Sequence, residues 1–254
     1  MPTERLTFPG HTGEPLDARL ETPDGAPRAY ALFAHCFTCG KDSLAAARVA
    51  RALAAEGIAT LRFDFTGLDE DDGSWPEPQG LTGDVEDLKR AAAFLADRGQ
   101  TPALLVGHSL GGAAVLAAAP VIASVRAVAT INAPLEAAHV VRQFTAALPA
   151  IEAAGEATVT LGGRPVVLTR DFLRDVRAHE QAQRLKALGC ALLVMHAPDD
   201  ATVPLAEAGE IFAAARHPKS LVALPGADHL LSEPADALYA ARVIAAWADR
   251  YLTA

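Results

Sequence analysis

Residues Gly107-His108-Ser109-Leu110-Gly111 spell Gly-x-Ser-x-Gly, and a third glycine follows at Gly112. Apolar Leu104-Leu105-Val106 leads in and an alanine-rich stretch leads out, so the serine falls on a tight turn from a strand into a helix. Such a turn strains its central residue, which is tolerable only where Gly107 and Gly111 carry no side chain to clash with strand or helix. Ser109 is thereby lifted clear of the sheet at the positive end of a helix, with the backbone N–H of Leu110 facing whatever carbonyl the serine would attack. An incidental serine in a glycine-rich turn is the plainer alternative. The strand before and the helix after favour a nucleophile.

A serine hydroxyl is a weak nucleophile at neutral pH, so it needs a base, and the base needs an orienting acid. Of eight histidines, His108 must point away from its neighbour across the turn, while His35 and His196 close strands where packing or loop bonding explains them. His229 lies just past the last expected strand, in Leu224-Pro225-Gly226-Ala227-Asp228-His229. That puts it on the same sheet edge as Ser109, in a loop able to carry it inward. The acid should follow an earlier strand. In His196-Ala197-Pro198-Asp199-Asp200-Ala201-Thr202-Val203-Pro204 both Asp199 and Asp200 qualify by position. Asp228 adjoins the base, but neighbouring side chains diverge, so it is expected to brace the loop.

Cys36, Cys39 and Cys190 are too few and too unevenly placed for a disulfide framework of the secreted kind. Cys36-x-x-Cys39 could be a redox pair or half of a metal site, but no second pair completes a zinc site. Neither cofactor nor metal is expected.

The elements that must position these groups alternate along the chain. Arg5 to Phe8 and Leu16 to Leu20 read as paired strands around a turn at residues 9–13. Ala29 to Ala34 and Ile58 to Phe63 are continuous apolar runs of the kind buried on both faces of a sheet, with a helix from Ser43 to Glu56 between them and Gly57 as its stop. Residues 64–79 carry glycines, prolines and four consecutive acids, and read as a solvated loop. A helix from Leu81 or Asp84 to Asp97 leads to the strand before Ser109, and Arg126 to Ile131 supplies the next strand. Strand, helix, strand in repetition implies an α/β fold with a mostly parallel sheet, right-handed crossovers and ligands at the carboxyl ends of the strands. From residue 132 the pattern changes. Glu136 to Ala147 reads as a helix, and residues 156–168 alternate around Gly162-Gly163 as a hairpin should. We read residues 133–188 as a small helix-and-hairpin lid within a single domain, 1–254. Ala191 to Met195, Leu205 to Ala215, Ser220 to Leu224 and Pro234 to Tyr251 restore the core pattern.

Of 254 residues half are apolar, which suffices for a sizeable core, yet no apolar run approaches the ~20 residues that span a bilayer. No signal pattern is seen at the N-terminus, so a soluble cytoplasmic protein is expected. A formal charge of −9 without a basic cluster argues against nucleic acid or an anionic membrane as partner and leaves a small molecule. Oligomeric state is not legible.

Ser109, then an acid after a later strand, then His229 is the chain order of the α/β-hydrolase triad. Together with His35-Cys36-Phe37-Thr38, His196 to Pro204 and Gly226-Ala227-Asp228-His229, the serine motif makes nearly the whole chain resemble the α/β-hydrolase superfamily. Within it the chain is similar to small feruloyl and cinnamoyl esterases and to serine-aminopeptidase-like hydrolases. It is closer still to bacterial hydrolases found fused to an OsmC-type domain, in which the His-Cys-Phe-Thr-Cys stretch recurs. The resemblance implies the α/β-hydrolase fold and a serine hydrolase cleaving carboxylic esters of small or medium acyl or aryl groups. The family pattern His-Gly-x-x-Asp-x-x-Val-Pro falls on His196, Ala197, Asp200, Val203 and Pro204, so it favours Asp200 as the acid. It further implies that the Phe37 N–H joins that of Leu110 in an oxyanion hole. Two segments depart from the family: His35-Cys36 stands for the usual His-Gly, and Gly67-Leu68-Asp69-Glu70-Asp71 for Gly-x-Gly-Glu-Ser. Thioesterase, peptidase or perhydrolase chemistry would use the same triad, and a non-catalytic ligand-binding protein could keep the same scaffold.

Overall fold

Two antiparallel strands open the chain, β1 (Thr3–Pro9) and β2 (Pro15–Glu21), and β2 pairs antiparallel with β4 (Ile58–Phe63). The computed structural model describes residues 2–37, 39–68 and 78–252. Of the solvated loop expected at 64–79, residues 69–77 lie outside the described residues, while Asp64, Phe65 and Thr66 at its start are buried rather than solvated. Beyond β4 every pairing within this sheet is parallel. β3 (Ala29–Ala34), β5 (Pro102–His108), β6 (Ala127–Ile131), β9 (Ala191–His196) and β10 (Lys219–Ala223) complete an eight-stranded sheet in the order β1-β2-β4-β3-β5-β6-β9-β10. The strands expected from sequence all form, with ends within two residues of their expected limits.

The helices cover both faces because the parallel strands are apolar on both. Alternate residues of β3 divide between the layers: Ala31 and Phe33 pack with α1 (Leu44–Ala55) and α8 (Pro234–Leu252), while Leu32 and Ala34 face α2 (Gly80–Asp97) and α3 (Leu110–Ala118). β5 repeats the division, with Leu104 and Val106 on the first side and Leu105 on the second. This two-sided burial is what the unbroken apolar runs encode. The chain steps from β3 to β4 on one side and then crosses back over β3 to place β5 on the other. The strand order therefore reverses between β3 and β5, where the connections leave in opposite directions and open a crevice at the carboxyl ends.

Between β6 and β9 the chain leaves the sheet. Residues Ala137–Ala147, expected as an α-helix, form 3₁₀ turns broken at Phe144 (φ −138°, ψ 30°). The β-branched Val140, Val141 and Thr145 weaken a helix there, and burial of Phe144 takes up the kink. Then come α4 (Leu148–Ala154), the hairpin of β7 (Glu156–Leu161) and β8 (Arg164–Thr169), α5 (Arg170–Arg177) and α6 (Gln181–Lys186). The three short helices escape a reading of periodicity because each has only about two turns. In α5 the signal is local: Thr169 caps it through Phe172 N at 3.1 Å, with Asp171 in the first turn and Arg174 and Arg177 in the last. Ile151, Leu161, Val166, Leu168, Phe172 and Val176 join the core beneath α2 and α3, and α7 (Leu205–Ala214) packs on the same side. Gln181 is fully buried and donates to the Ala113 carbonyl at 2.8 Å, tying this region to α3.

The approach of α3 to the sheet is set by glycine. A Cβ on Gly111 would lie 2.3 and 2.4 Å from the carbonyl oxygens of His35 and Ala34, and one on Gly107 2.3 Å from that of Gly111. At Gly112 the obstacle is a side chain, the Ala133 Cβ at 2.3 Å. A carbonyl cannot be removed by substitution, whereas the Ala133 methyl can. Gly111→Ala is expected to destabilise by more than about 3 kcal/mol and Gly112→Ala by roughly 1–3 kcal/mol. Adding Ala133→Gly should recover much of the second loss and none of the first, as read by urea unfolding.

Candidate active site

Ser109 sits between β5 and α3 with φ 54° and ψ −124°, a left-handed conformation that a side chain rarely adopts. Its own N–H donates to the Ile131 carbonyl at 2.9 Å, so neighbouring β6 fixes the turn from the side. Leu110 is the first residue of α3, where a helix has N–H groups without intrahelical acceptors.

The His229 ring meets both expected partners. Its Nε2 lies 3.0 Å from Ser109 Oγ and its Nδ1 2.7 Å from Asp200 Oδ2. A carboxylate can only accept, so Nδ1 carries the proton and Nε2 is left to accept from the serine hydroxyl. The three side chains come from the ends of β5, β9 and β10, which are separated in sequence and brought to one rim by parallel order. Asp200 is buried and Asp199 is exposed, which separates the two carboxyls that position alone could not.

The Asp200 side chain is held by its own loop. Its second oxygen, Oδ1, accepts the N–H groups of Thr202 and Val203 at 2.8 and 2.9 Å. Burial would raise its pKa, but the His229 hydrogen bond and these amides outweigh it and hold the carboxyl below its ordinary range. Of the other histidines, His196 Nε2 donates to the Val203 carbonyl at 2.8 Å and His35 Nδ1 to that of Cys36 at 2.8 Å, both bracing loops. Asp228 turns outward and accepts the Ser232 N–H at 2.8 Å.

Two bracing residues were not singled out as such from sequence. Asn132, at φ 49° directly after β6, donates Nδ2 to the carbonyls of Asp228 and His229 at 3.2 and 3.0 Å while its Oδ1 accepts from Ala197 N at 2.8 Å. One buried amide thus joins the acid loop to the histidine loop. His108 points away from Ser109 as expected, and its Nε2 donates to the His229 carbonyl at 2.7 Å. An asparagine at the carboxyl end of a core strand, tolerant of left-handed geometry, is the signal that was there to read.

A cleft opens beside the serine turn, bounded by His35, Phe37, Phe65, Leu110 and Phe172. Phe37 stacks on Phe172 of α5 at 5.4 Å, so residues inserted after β6 wall the cavity from above. Cys36 and Cys39 form a disulfide across Phe37, and Cys190 is free. Thr38 lies outside the described residues. The following segment is anchored by buried charge: Asp64 accepts from Lys41 N at 2.6 Å and Lys41 Nζ at 2.5 Å, while Arg62 donates to Glu21 at 2.7 Å and also to Asp42.

The alpha/beta hydrolase family profile matches residues 31–242, a span that runs from β3 into α8. This chain belongs to that family. Among solved structures, the esterase domain of a Rhodothermus marinus protein is 45% identical over 99% of this chain and 100% of its own, with a TM-score of 0.80. At the level of fold alone, this alpha/beta hydrolase is similar to Est1E from Butyrivibrio proteoclasticus, 17% identical over 98% of this chain and 99% of that one at a TM-score of 0.75. It is likewise similar to a dienelactone hydrolase from Anabaena variabilis, 20% identical over 98% of both chains at a TM-score of 0.69. No curated protein sequence matches the chain at a comparable level of significance. Among the described residues of this hydrolase, no helix is long and apolar enough to cross a membrane.

Burial, and then the neighbouring His229 charge, lower the pKa of His108 to about 4. An unfolded imidazole titrates near its ordinary value of about 6.5. Between those values the unfolded chain holds more protons than the folded one, so stability is lost as pH falls through that window. Urea unfolding at pH 7 and pH 4 should show wild type losing roughly 3 kcal/mol more than His108→Gln, a variant that keeps a donor but does not titrate.

Proposed function

We propose that this chain is a serine hydrolase that cleaves carboxylic esters of small or medium acyl or aryl groups through an acyl-enzyme. The observation that carries the reading is the continuous hydrogen-bonded path from Asp200 through His229 to Ser109, with distances of 2.7 and 3.0 Å. Identity of 45% to an esterase domain over the whole chain supports the same reading.

In this mechanism a small-molecule ester enters the cavity beside the serine turn and its carbonyl carbon meets Ser109 Oγ. His229 Nε2 takes the hydroxyl proton as the carbon–oxygen bond forms, and Asp200 stabilises the imidazolium through Nδ1. The negative oxygen of the tetrahedral intermediate is held by the N–H groups of Leu110 and Phe37, each worth roughly 3 kcal/mol to the transition state. Collapse expels the alcohol, which receives the proton from His229. Water then repeats the sequence on the acyl-enzyme, releasing the acid and restoring the serine. The positive end of α3 lies at the developing charge and favours it.

Ser109→Ala is expected to abolish hydrolysis of p-nitrophenyl butyrate and labelling by a fluorophosphonate while the unfolding midpoint stays unchanged. Asp200→Asn should lower kcat by on the order of 10⁴, because the imidazole loses the acceptor that sets its tautomer. Asp199→Asn should stay within about twofold of wild type, as suits an exposed carboxyl outside the relay. Equal losses from the two aspartate changes would overturn the choice of acid, and a wild type inert to the fluorophosphonate would overturn the nucleophile.

A further inference from the structure

Among the described residues, the cavity beside the Ser109 turn has one acidic group in its wall. Asp84, in the second turn of α2, lines it together with Phe37, Phe65, Leu110 and Phe172. No lysine or arginine among the described residues lines the same space, and no described residue donates a hydrogen bond to the Asp84 carboxyl. Two further carboxylates act on it electrostatically. Asp87 is saturated by Thr66 N, Thr66 Oγ1, His11 N and His11 Nδ1 at 2.7–3.0 Å. Asp175 takes Thr82 N at 3.1 Å, the Thr82 hydroxyl, and His179 Nε2 at 3.5 Å. Burial, then the charges of Asp87 and Asp175, raise the Asp84 pKa well above the ordinary carboxylate range.

A carboxyl in a largely apolar wall that accepts no hydrogen bond from the described residues costs stability unless something else uses it. Burial is the first reason the proton stays on, and the second, the negative field of Asp87 and Asp175, is one that a cation relieves. The rest of the wall suits the same ligand, since three phenylalanine rings border the cavity and ring faces attract ammonium groups. The cavity also touches Leu110 and Phe37, the two residues whose N–H groups the proposed mechanism gives to the oxyanion, so a group lying in it adjoins the carbonyl that Ser109 attacks. We propose that Asp84 is a specificity-determining residue that pairs with an ammonium group on the acyl part of the ester. Binding would displace the carboxyl proton to solvent and leave an ion pair walled by aromatic rings. The inference rests on the esterase reading of Ser109.

The test is a pair of isosteric substrates, p-nitrophenyl 6-aminohexanoate and p-nitrophenyl heptanoate, which exchange an ammonium for a methyl group. Wild type should show a kcat/KM at least about tenfold higher for the aminohexanoate. Asp84→Asn should abolish that preference, bringing the ratio of the two kcat/KM values to about one. Asp84→Leu should reverse the preference and unfold no earlier than wild type, since it removes a carboxyl that accepts no hydrogen bond from the described residues. A wild-type preference for heptanoate, or a preference unchanged in both variants, would overturn the role of Asp84. If Ser109 takes a fluorophosphonate but the ammonium ester is not cleaved, this inference alone fails. If Ser109 is also inert to the label, the esterase reading fails with it.

Discussion

The left-handed backbone of Ser109 is the constraint from which the rest of the site follows. At φ 54° the serine can sit at a strand-to-helix turn only if α3 leaves the sheet at once and runs back close against it. That approach brings Gly111 within van der Waals distance of the carbonyls of Ala34 and His35 at the end of β3. One close contact thereby brings the nucleophile turn and the β3 loop together at the place where strand order reverses. The crevice of a doubly wound sheet and the turn of the nucleophile coincide because one glycine permits both.

The opposite side of the site is rigid for a different reason. The loops after β9 and β10 carry Asp200 and His229, and neither is long enough to pack a core of its own. Their positions are imposed by polar groups projecting from the sheet: Asn132 holds the backbone of both loops and His108 holds one of them. Buried polar groups with every partner in place specify a single arrangement, since any shift strands a donor or acceptor away from water. A relay that must keep its serine–imidazole and imidazole–carboxylate distances near 3 Å needs that kind of support more than it needs hydrophobic contact.

Much of this was legible in the sequence, and unevenly. Continuous apolar runs gave β3 and β4 with their limits, and Gly-x-Ser-x-Gly placed Ser109 on its strand-to-helix turn, because both patterns are local and their physics acts within a few residues. The choice between Asp199 and Asp200 was not local. Both follow the same strand, and only the fold buries one and exposes the other. Residues 137–147 misled because their spacing suits a helix while burial of Phe144 demands a kink. Asn132 went unread because its task is to bridge two loops about 65 and 97 residues further on, a separation no window can see.

Cys36 shows how a departure from the family pattern can be accommodated. Glycine is common at this position where the backbone must pass close to other groups, and a cysteine there adds a side chain that has to go somewhere. Here the side chain is buried and bonded to Cys39, while the Cys39 N–H donates to the Cys36 carbonyl at 3.1 Å. The loop thus closes on itself around Phe37, by a covalent bond and a turn hydrogen bond together. Its far end is pinned by Lys41 on the buried Asp64, and that carboxylate stands at the end of β4. Freedom lost at position 36 is matched by order gained at position 37, where the proposed reaction requires an amide that does not move as charge develops. A glycine would leave that order to packing alone, with the stacking of Phe37 on Phe172 as its main support.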